Sequence, residues 1–347
     1  MRAVVVPADP AWPERFQQEA TGLARILPGL VFIHHIGSTA VPGLAAKPVI
    51  DIMPVIRDIE AVAAAEPQLA AMGYEALGEF GIVGRRYFRK GGDLRSHHLH
   101  VYGLGHPDIE RHLAFRDYLR ADPAERDRYG GLKQRLAVQV AGDIERYMDG
   151  KDAYIKTTER LALDWWRRVP VIALSGPVGV GKTTVMMAVG DLLQEAGVAH
   201  ALADRDALSE IWPRSPGDPF AAALAVANLG QLWRHARCAG ARCLIVAGVL
   251  ETASDAAALA EVVPGAQVQV VQLTAPPDVL ADRLRQRESG AGLDWHLQRA
   301  AVLAKQLALS GPPALVVDAT ASVARVAARV LTATRLLALV SAPGAAP

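Results

Sequence analysis

The segment whose residue types most clearly suggest chemistry is a glycine-rich loop that ends in a lysine and two threonines. It consists of Gly176, Pro177, Val178, Gly179, Val180, Gly181, Lys182, Thr183 and Thr184. In this G-x-x-x-x-G-K-T spacing, glycines let backbone N–H groups face phosphate oxygens, the lysine reaches the β- and γ-phosphates, and the first threonine hydroxyl binds Mg²⁺. A buried-strand pattern precedes the loop and a helical pattern follows it. The sequence therefore predicts a P-loop that binds ATP with Mg²⁺.

Two aspartates follow the next predicted strand, residues 198–203. Asp204 and Asp206 would lie at the same sheet edge as the loop, where ligands of parallel sheets bind. Phosphoryl transfer needs a carboxylate to orient or deprotonate the attacking hydroxyl, and another to hold Mg²⁺ through water. Both residues are candidates for these roles, in either order. Aspartate is also a favoured helix N-cap, so capping remains the alternative.

Three more charged residues follow later predicted strands. Glu251 is a candidate metal or substrate contact, and capping of the next helix is an equal alternative. Arg283 and Arg287 lie on a predicted helix that precedes a segment containing two glycines. Arginines on a mobile lid stabilise the charge of a transferring phosphoryl group and exclude water, although arginines at helical spacing also occur on solvated faces. We favour the catalytic interpretation for at least one of the two arginines.

From Pro170 to about Leu331 the chain resembles the small P-loop kinases of the shikimate, gluconate, adenylylsulfate and chloramphenicol phosphotransferase type. The likeness is carried by the loop, by the D-x-D of Asp204 and Asp206, and by the R-x-x-x-R of Arg283 and Arg287. It is nearest to a group of uncharacterised ATPase or kinase proteins, which names no substrate. The resemblance implies an ATP- and Mg²⁺-dependent kinase of a small hydroxyl-bearing metabolite, with residues 318–320 beside the adenine.

The first half of the chain contains a second glycine–hydroxyl turn, Gly37-Ser38, followed by Lys47 and by Asp51 in a predicted strand. Over residues 3 to about 165 it resembles the GrpB family, which has the fold of the nucleotidyltransferase superfamily. In that superfamily a Gly-Ser turn holds a triphosphate, and two carboxylates two residues apart bind Mg²⁺. Met53 stands where the second acid is expected. The resemblance therefore leaves nucleotide transfer by this domain open.

Histidines are candidates to replace the missing acid. Alternation along the predicted strand 95–103 puts His98, His100 and Tyr102 on one face and His97, Leu99 and Val101 on the other. Together with Asp51, His98 and His100 suit either a transition metal or a phosphate group, but solvated histidines on a polar face are the favoured alternative to a metal. Arg85, Arg95 and Lys47 suit an anion, and a surface charge is an equal alternative for each. We expect this domain to bind a nucleotide or another phosphorylated ligand.

The spacing of the elements predicts two domains. Residues 1–166 are expected to form an α+β, nucleotidyltransferase-like mixed sheet with a helical tail that includes helices over 123–149 and 151–167. Residues 169–338 alternate strands with helices, which predicts an α/β, doubly wound parallel sheet of the P-loop NTPase type. Residues 339–347, which contain few large apolar side chains, are predicted to be a disordered tail.

Composition sets limits on partners and location. The 347 residues carry a formal net charge of +1 and two cysteines, so neither a nucleic-acid nor an anionic-membrane partner is expected, and a disulfide framework is excluded. No uncharged stretch reaches membrane-spanning length, which favours a cytoplasmic protein with a small-molecule substrate. The oligomeric state is not predicted.

Two alternatives to a small-molecule kinase remain. The chain can be an ATP-binding regulator or folding accessory without a dedicated acceptor. It can also be a dephospho-CoA kinase, because GrpB-like domains occur joined to that enzyme. The residues after Asp206 do not resemble that enzyme's substrate region, so this alternative ranks last.

Overall fold

The computed structural model describes residues 4–140 and 143–341. The chain divides into two compact units between Trp166 and Arg167. Each unit contains its own five-stranded sheet.

The N-terminal unit combines five strands with five α-helices. The strands are β1 (Leu30–Ile36), β2 (Ile50–Ile56), β3 (Tyr74–Ala76), β4 (Arg85–Lys90) and β5 (His97–Gly103). The helices are α1 (Trp12–Ile26), α2 (Glu66–Ala71), α3 (Pro107–Ala121), α4 (Pro123–Gln139) and α5 (Ile144–Trp166), with 3₁₀ turns at Ser38–Ala40 and Ile59–Ala65. The sheet order is β1-β2-β5-β4-β3. Only β2 and β5 are parallel, so the sheet is mixed, as predicted.

Alternation along β2 and β5 gives this sheet an apolar face and a polar face. Ile52 and Leu99 are fully buried in a core that includes Trp12 and Leu23 of α1. Because neighbouring side chains in a strand point to opposite faces, Asp51 and His98 lie on the other face. Helix α3 contacts this second face through His112, whose ring centroid is 5.6 Å from that of His100. The alternation predicted for β5 is therefore confirmed.

The helical tail differs from the prediction in its boundaries. Helix α4 ends at Gln139, and α5 begins at Ile144 and continues to Trp166 as one helix of 23 residues. Asp143 Oδ1 accepts hydrogen bonds from the backbone N–H groups of Glu145 (3.0 Å) and Arg146 (3.2 Å). These bonds satisfy N–H groups that a new helix leaves open, so the cap sets the start of α5. The predicted break near residue 150 is wrong.

The C-terminal unit alternates strands with helices. Its strands are β6 (Val169–Ser175), β7 (His200–Asp204), β8 (Cys243–Ala247), β9 (Ala266–Thr274) and β10 (Leu315–Asp318). Its helices are α6 (Lys182–Glu195), α7 (Arg205–Leu208), α8 (Ala222–Ala239), α9 (Ala253–Val262), α10 (Pro277–Arg287), α11 (Ala291–Ser310), α12 (Val323–Thr334) and α13 (Leu336–Ser341). Every strand pair is parallel, which confirms the predicted α/β class.

The strand order explains where a ligand would bind. The order is β10-β9-β6-β8-β7, so β6 lies between β8 and β9. The connection from β8 to β9 therefore crosses over β6. Open α/β sheets bind ligands beyond the carboxyl end of the strand at which the order reverses. Strand β6 is entirely buried and ends at Ser175, immediately before the glycine-rich loop.

The end of the described chain differs from the predicted tail. Arg335 has a φ of 52°, a left-handed conformation that separates α12 from α13. Residues 339 to 341 belong to α13, and Val340 is buried in the core of the unit. The predicted disorder is wrong for these three residues, and the rest of the predicted tail lies outside the described residues. No helix among those described is both long and apolar enough to span a lipid bilayer.

Candidate functional site

The glycine-rich loop has a backbone conformation that needs its glycines. Gly176 has a φ of 144°, and a Cβ there would lie 2.5 Å from the carbonyl oxygen of Leu273. Gly181 has a φ of 99°, but a Cβ there would meet no atom within 4 Å. The first glycine is therefore required by packing against β9. The second leaves open space at the start of α6, where backbone N–H groups attract anions.

The side chain of Lys182 is hydrogen-bonded to the backbone of this loop. Its Nζ donates hydrogen bonds to the carbonyl oxygens of Gly176 (3.1 Å) and Pro177 (3.3 Å). Burial lowers the pKa of Lys182, and the charges of Asp206 and Asp204 oppose that shift. The loop thus holds a cation next to two acids, an arrangement that suits a phosphate and its metal ion.

Thr183 and the two aspartates meet at the same sheet edge. Thr183 Oγ1 donates a hydrogen bond of 2.6 Å to Asp204 Oδ2. The other oxygen of Asp204 accepts from the backbone N–H groups of Asp206 (2.9 Å) and Ala207 (3.4 Å), so Asp204 also caps α7. Among the described residues, no hydrogen bond engages the exposed carboxylate of Asp206. Asp204 therefore combines the cap with the contact to Thr183, and Asp206 is left available.

Arg283 connects the loop to the far edge of the sheet. Its guanidinium donates to the carbonyl oxygens of Val180 (3.1 Å) and Ala319 (2.8 Å). Arg283, Arg287 and Ala319 line a cleft of about 270 Å³ together with Gly181 and Thr184 of the loop. Because two guanidinium nitrogens of Arg283 are hydrogen-bonded to backbone carbonyls, this side chain fits a wall of the nucleotide cleft better than a mobile lid. The catalytic roles assigned to Arg283 and Arg287 stay predictions.

Glu251 is engaged by α11 rather than by the loop. Its carboxylate pairs with Arg299 and accepts a hydrogen bond of 2.8 Å from Gln306. The cap of α9 is supplied by Thr252 with Asp255. Glu251 is therefore not the capping side chain, and its predicted role at a metal ion stays a prediction.

A second cluster of chemistry-bearing side chains lies on the polar face of the N-terminal sheet. Asp51 Oδ1 is 3.0 Å from His98 Nδ1 and 3.6 Å from His100 Nε2. Burial opposes ionisation of Asp51, but hydrogen bonds from His100 and His98 hold its pKa well below the ordinary value. The strand register pairs Asp51 directly with His98. The structure thus brings together three residues that the sequence associated.

The Gly37-Ser38 turn packs against this cluster. Gly37 has a φ of 68°, and a Cβ there would lie 2.3 Å from Asp51 Oδ2. Ser38 Oγ accepts a hydrogen bond of 2.9 Å from Nζ of Lys133 in α4. The turn therefore fixes one carboxylate oxygen on one side and contacts a buried lysine on the other.

Lys151 interacts electrostatically with two other lysines, Lys47 and Lys133, and Lys133 contacts the turn. Burial, and then the charge of Lys151, lower the pKa of Lys133 to about 7. Burial, and then Lys151 and Arg95, lower the pKa of Lys47 to about 8. Lys47 and Lys151 lie over the ring of Tyr147 at 4.6 and 5.0 Å. Within residues 4–140 and 143–341 no salt bridge to an acidic side chain is recorded for these three lysines. A lysine such as Lys133, buried without a carboxylate partner among the described residues, favours an anionic ligand.

Arg85 is a buried side chain and not a surface charge. It is 6% exposed, and it donates to the carbonyl oxygens of Phe80 (2.7 Å) and Glu79 (3.2 Å). Its Nη1 lies 3.4 Å from His100 Nδ1. Arg85 thus anchors the loop that precedes β4 next to the histidine cluster.

Sequence reasoning missed Lys133, Lys151 and His112. Lys133 ends the segment Tyr129-Gly-Gly-Leu-Lys133. Tyr129 stacks on the ring of Tyr154 and Lys133 is buried, so this segment is not a solvated helix face. For Lys151 and His112 the sequence offers no signal, because only the packing of helices against the sheet brings them to the cluster.

Comparison with known proteins agrees with this architecture in both units. Residues 2–160 match the family model described as GrpB protein. Over 158 residues the chain is 32% identical to glutamate-rich protein GrpB of Alkalihalophilus pseudofirmus, covering 44% of this chain and 91% of that protein. The chain belongs to the GrpB family. YqkA of Bacillus subtilis is 50% identical over 155 residues, which are 44% of this chain and 45% of that protein. The chain thus covers less than two thirds of YqkA.

A solved GrpB protein from Enterococcus faecalis is 47% identical, with a TM-score of 0.45, over 46% of this chain and 98% of that one. Residues 171–313 match a model described as AAA domain, and the C-terminal unit has a P-loop kinase-like fold. A gluconokinase from Sinorhizobium meliloti is 23% identical, with a TM-score of 0.35, over 50% of this chain and 95% of that one. A dephospho-CoA kinase of Mycolicibacterium paratuberculosis is 28% identical over 187 residues, 46% of each chain. The protein therefore joins a GrpB domain to a P-loop kinase-like domain.

Proposed function

We propose that the protein is an ATP- and Mg²⁺-dependent phosphotransferase that acts on a hydroxyl group of a small metabolite. The observation that carries the proposal is the hydrogen bond of 2.6 Å between Thr183 Oγ1 and Asp204 Oδ2. It joins the hydroxyl at the end of the P-loop to a carboxylate at the end of β7, the next strand along the chain. Asp206 lies two residues further on with its carboxylate exposed.

The residues at this edge fit Mg²⁺. Magnesium prefers hard oxygen ligands and in proteins is usually held by one or two carboxylates, hydroxyls, waters and substrate phosphates. Thr183 and Asp204 supply a hydroxyl and a carboxylate that already touch. When bound, the ion would neutralise charge on the β- and γ-phosphates.

The chain's own side chains account for the remaining steps. Lys182 would exchange its two loop carbonyls for phosphate oxygens, because its Nζ contacts them weakly at 3.1 and 3.3 Å. The acceptor hydroxyl attacks the γ-phosphorus, the bond to the ADP oxygen breaks, and the hydroxyl proton passes to Asp206. Arg283 contacts the carbonyls of Val180 and Ala319, and so holds the cleft in which the nucleoside would lie.

The experiment that tests this proposal measures ADP release by the full chain with Mg-ATP and a panel of hydroxyl-bearing metabolites. Dephospho-CoA belongs in the panel, because a dephospho-CoA kinase is among the relatives. We expect one acceptor class to stimulate turnover and to yield a phosphorylated product. Lys182→Ala should lose stabilisation by ATP, whereas Asp206→Asn should keep it and lose turnover by about 100-fold or more.

Asp191→Asn is the matched control for Asp206→Asn, because Asp191 is an exposed acid on α6 near its C-terminal end. It should change neither binding nor turnover. Slow ATP turnover that no acceptor stimulates would contradict the kinase and support an ATP-binding regulator instead. ATP stabilisation that persists in Lys182→Ala would contradict the assignment of the nucleotide site itself.

For the GrpB domain we propose binding of a nucleotide or another phosphorylated ligand. The support is Lys133, which is 2% exposed and hydrogen-bonded to Ser38, together with Lys47 and Lys151, which contact the ring of Tyr147. A phosphate group would compensate the buried positive charge and accept hydrogen bonds from the serine and the lysines.

A further inference from the structure

The polar face of the N-terminal sheet contains a set of donor atoms that neither the proposed kinase site nor an anion pocket uses. One carboxylate and two imidazoles, from Asp51, His98 and His100, place one ligand atom each within 4.8 Å of one another. Each of the three side chains is partly buried.

The spacing of the donor atoms matches a metal ion. With metal–ligand bonds of 2.0–2.1 Å, two ligands of a tetrahedral ion lie about 3.3 Å apart. Asp51 Oδ1 lies 3.0 Å from His98 Nδ1 and 3.6 Å from His100 Nε2. These two separations bracket the expected value, and one ligand atom of each of the three residues lies within 4.8 Å of the others.

The scaffold that carries these atoms is rigid. Asp51 and His98 are direct partners in the parallel pairing of β2 with β5, and His100 is the next residue of β5 on the same face. The backbone of Gly37 lies close to the second oxygen of Asp51, since a Cβ there would be only 2.3 Å from it. Ligands on paired strands are held more precisely than ligands on loops.

The chemistry of the set indicates which ions fit. Two imidazoles and one carboxylate are ligands for Zn²⁺, Fe²⁺ and similar ions, whereas Mg²⁺ requires oxygen ligands. Three protein ligands also leave positions open for water or a further ligand. Asp51 interacts electrostatically with Lys47 and Lys151, and both lysines contact the ring of Tyr147.

We propose that Asp51, His98 and His100 form a site for a divalent transition metal, whose open positions accept an anionic, phosphate-bearing ligand held by the neighbouring lysines. This inference concerns the GrpB domain alone and does not depend on kinase activity. It has one structural consequence. A metal on His100 Nε2 puts the imidazole proton on Nδ1, so Nδ1 can no longer accept a hydrogen bond from Arg85 Nη1, which lies 3.4 Å away. Arg85 then keeps only its two carbonyl partners in the loop before β4.

The test is a titration of the metal-free full chain with Co²⁺, whose visible absorption reports its ligands, followed by displacement with Zn²⁺. We expect one high-affinity equivalent per chain and displacement by Zn²⁺ but not by excess Mg²⁺. His98→Gln should weaken Co²⁺ binding by about 100-fold or more. His97→Gln is the matched control, because His97 is the preceding residue on the opposite face, where it contacts Ser96.

Circular dichroism and the melting temperature show whether His98→Gln folds. If it does not, Asp51→Asn and His100→Asn replace it in the same titration. Three results would overturn the proposal: no stoichiometric Co²⁺ or Zn²⁺ binding by the wild-type chain, equal loss in the His97 and ligand variants, or preference for Mg²⁺ over Zn²⁺. Inorganic phosphate should tighten Co²⁺ binding in the wild-type chain and not in Lys133→Met. Equal tightening in both would contradict the role of Lys133 in holding the anion, and no tightening in the wild-type chain would contradict the anionic ligand.

Discussion

The two candidate sites of this protein are built by opposite means. In the C-terminal unit the binding groups come mainly from the backbone of one continuous segment, Gly176 to Thr183. A Cβ at Gly181 would meet no atom within 4 Å, so there is open space beside this part of the segment. In the N-terminal unit the groups are side chains from four different elements, and most are partly or fully buried. A backbone site depends on loop conformation, whereas a side-chain site depends on how strands and helices pack. Substitutions should therefore affect the two sites in different ways.

The largest effect is expected for Gly37→Ala. The new Cβ would lie 2.3 Å from Asp51 Oδ2 in a residue with a φ of 68°. Both the overlap and the left-handed backbone oppose the alanine, so the N-terminal unit should lose about 3 kcal/mol of its free energy of unfolding. Hydrogen exchange of β2 and β5 measures this loss in the full chain, and exchange of the C-terminal unit should be unchanged.

Gly29→Ala is the control for backbone strain alone, because Gly29 has a φ of 64° but its Cβ would find its nearest neighbour at 3.7 Å. It should cost clearly less than Gly37→Ala. Equal losses would show that contact with Asp51 is unimportant. Gly181→Ala makes the same comparison in the P-loop. Because its Cβ would meet no atom within 4 Å, this substitution should weaken ATP binding more than it lowers the free energy of unfolding of the C-terminal unit.

The contrast between the sites also explains what sequence could predict. The P-loop was recognisable because its residues are contiguous and each has a local reason to be there. Asp51, His98 and His100 could be associated because alternation places the histidines on one face, although their separations depend on strand pairing. The positions of Lys133 and Lys151 depend on how α4 and α5 pack against the sheet, and the true start of α5 depends on a cap at Asp143. No local pattern specifies such packing.

A smaller effect is expected for Lys133→Met, through pH. The pKa of Lys133 is lowered to about 7 by burial, whereas an unfolded lysine keeps a value near its ordinary one. Between about pH 7 and pH 10 the unfolded chain therefore binds more protons, and the free energy of unfolding should rise with pH by up to about 1.4 kcal/mol per unit. Methionine removes this dependence, so the variant should be more stable at pH 7 and show a flatter profile.

Hydrogen exchange of the N-terminal unit from pH 7 to pH 9, corrected for intrinsic rates, measures that slope. Lys156→Met is the control, because Lys156 is an exposed lysine of α5 paired with Asp152. The same Lys133 variant tests the anionic ligand in a Lys182→Ala background, which disables the P-loop. Pyrophosphate should stabilise the chain that retains Lys133 and leave the methionine variant unchanged. An unchanged slope, or equal stabilisation by pyrophosphate, would contradict a buried cationic pocket at Ser38.

The smallest effect is expected in the backbone-built site, for Arg283→Lys. Arg283 bridges the carbonyls of Val180 and Ala319, and a lysine has no planar fork with which to reach both. The loop keeps its own N–H groups, so ATP affinity should fall only about tenfold, equivalent to about 1.4 kcal/mol. Titration calorimetry measures this change. Arg285→Lys, at an exposed residue paired with Asp282, should leave the affinity unaltered. If Arg283→Lys abolished ATP binding, the nucleotide site would depend on a side chain as strongly as the GrpB site does, and the contrast between the two sites would fail.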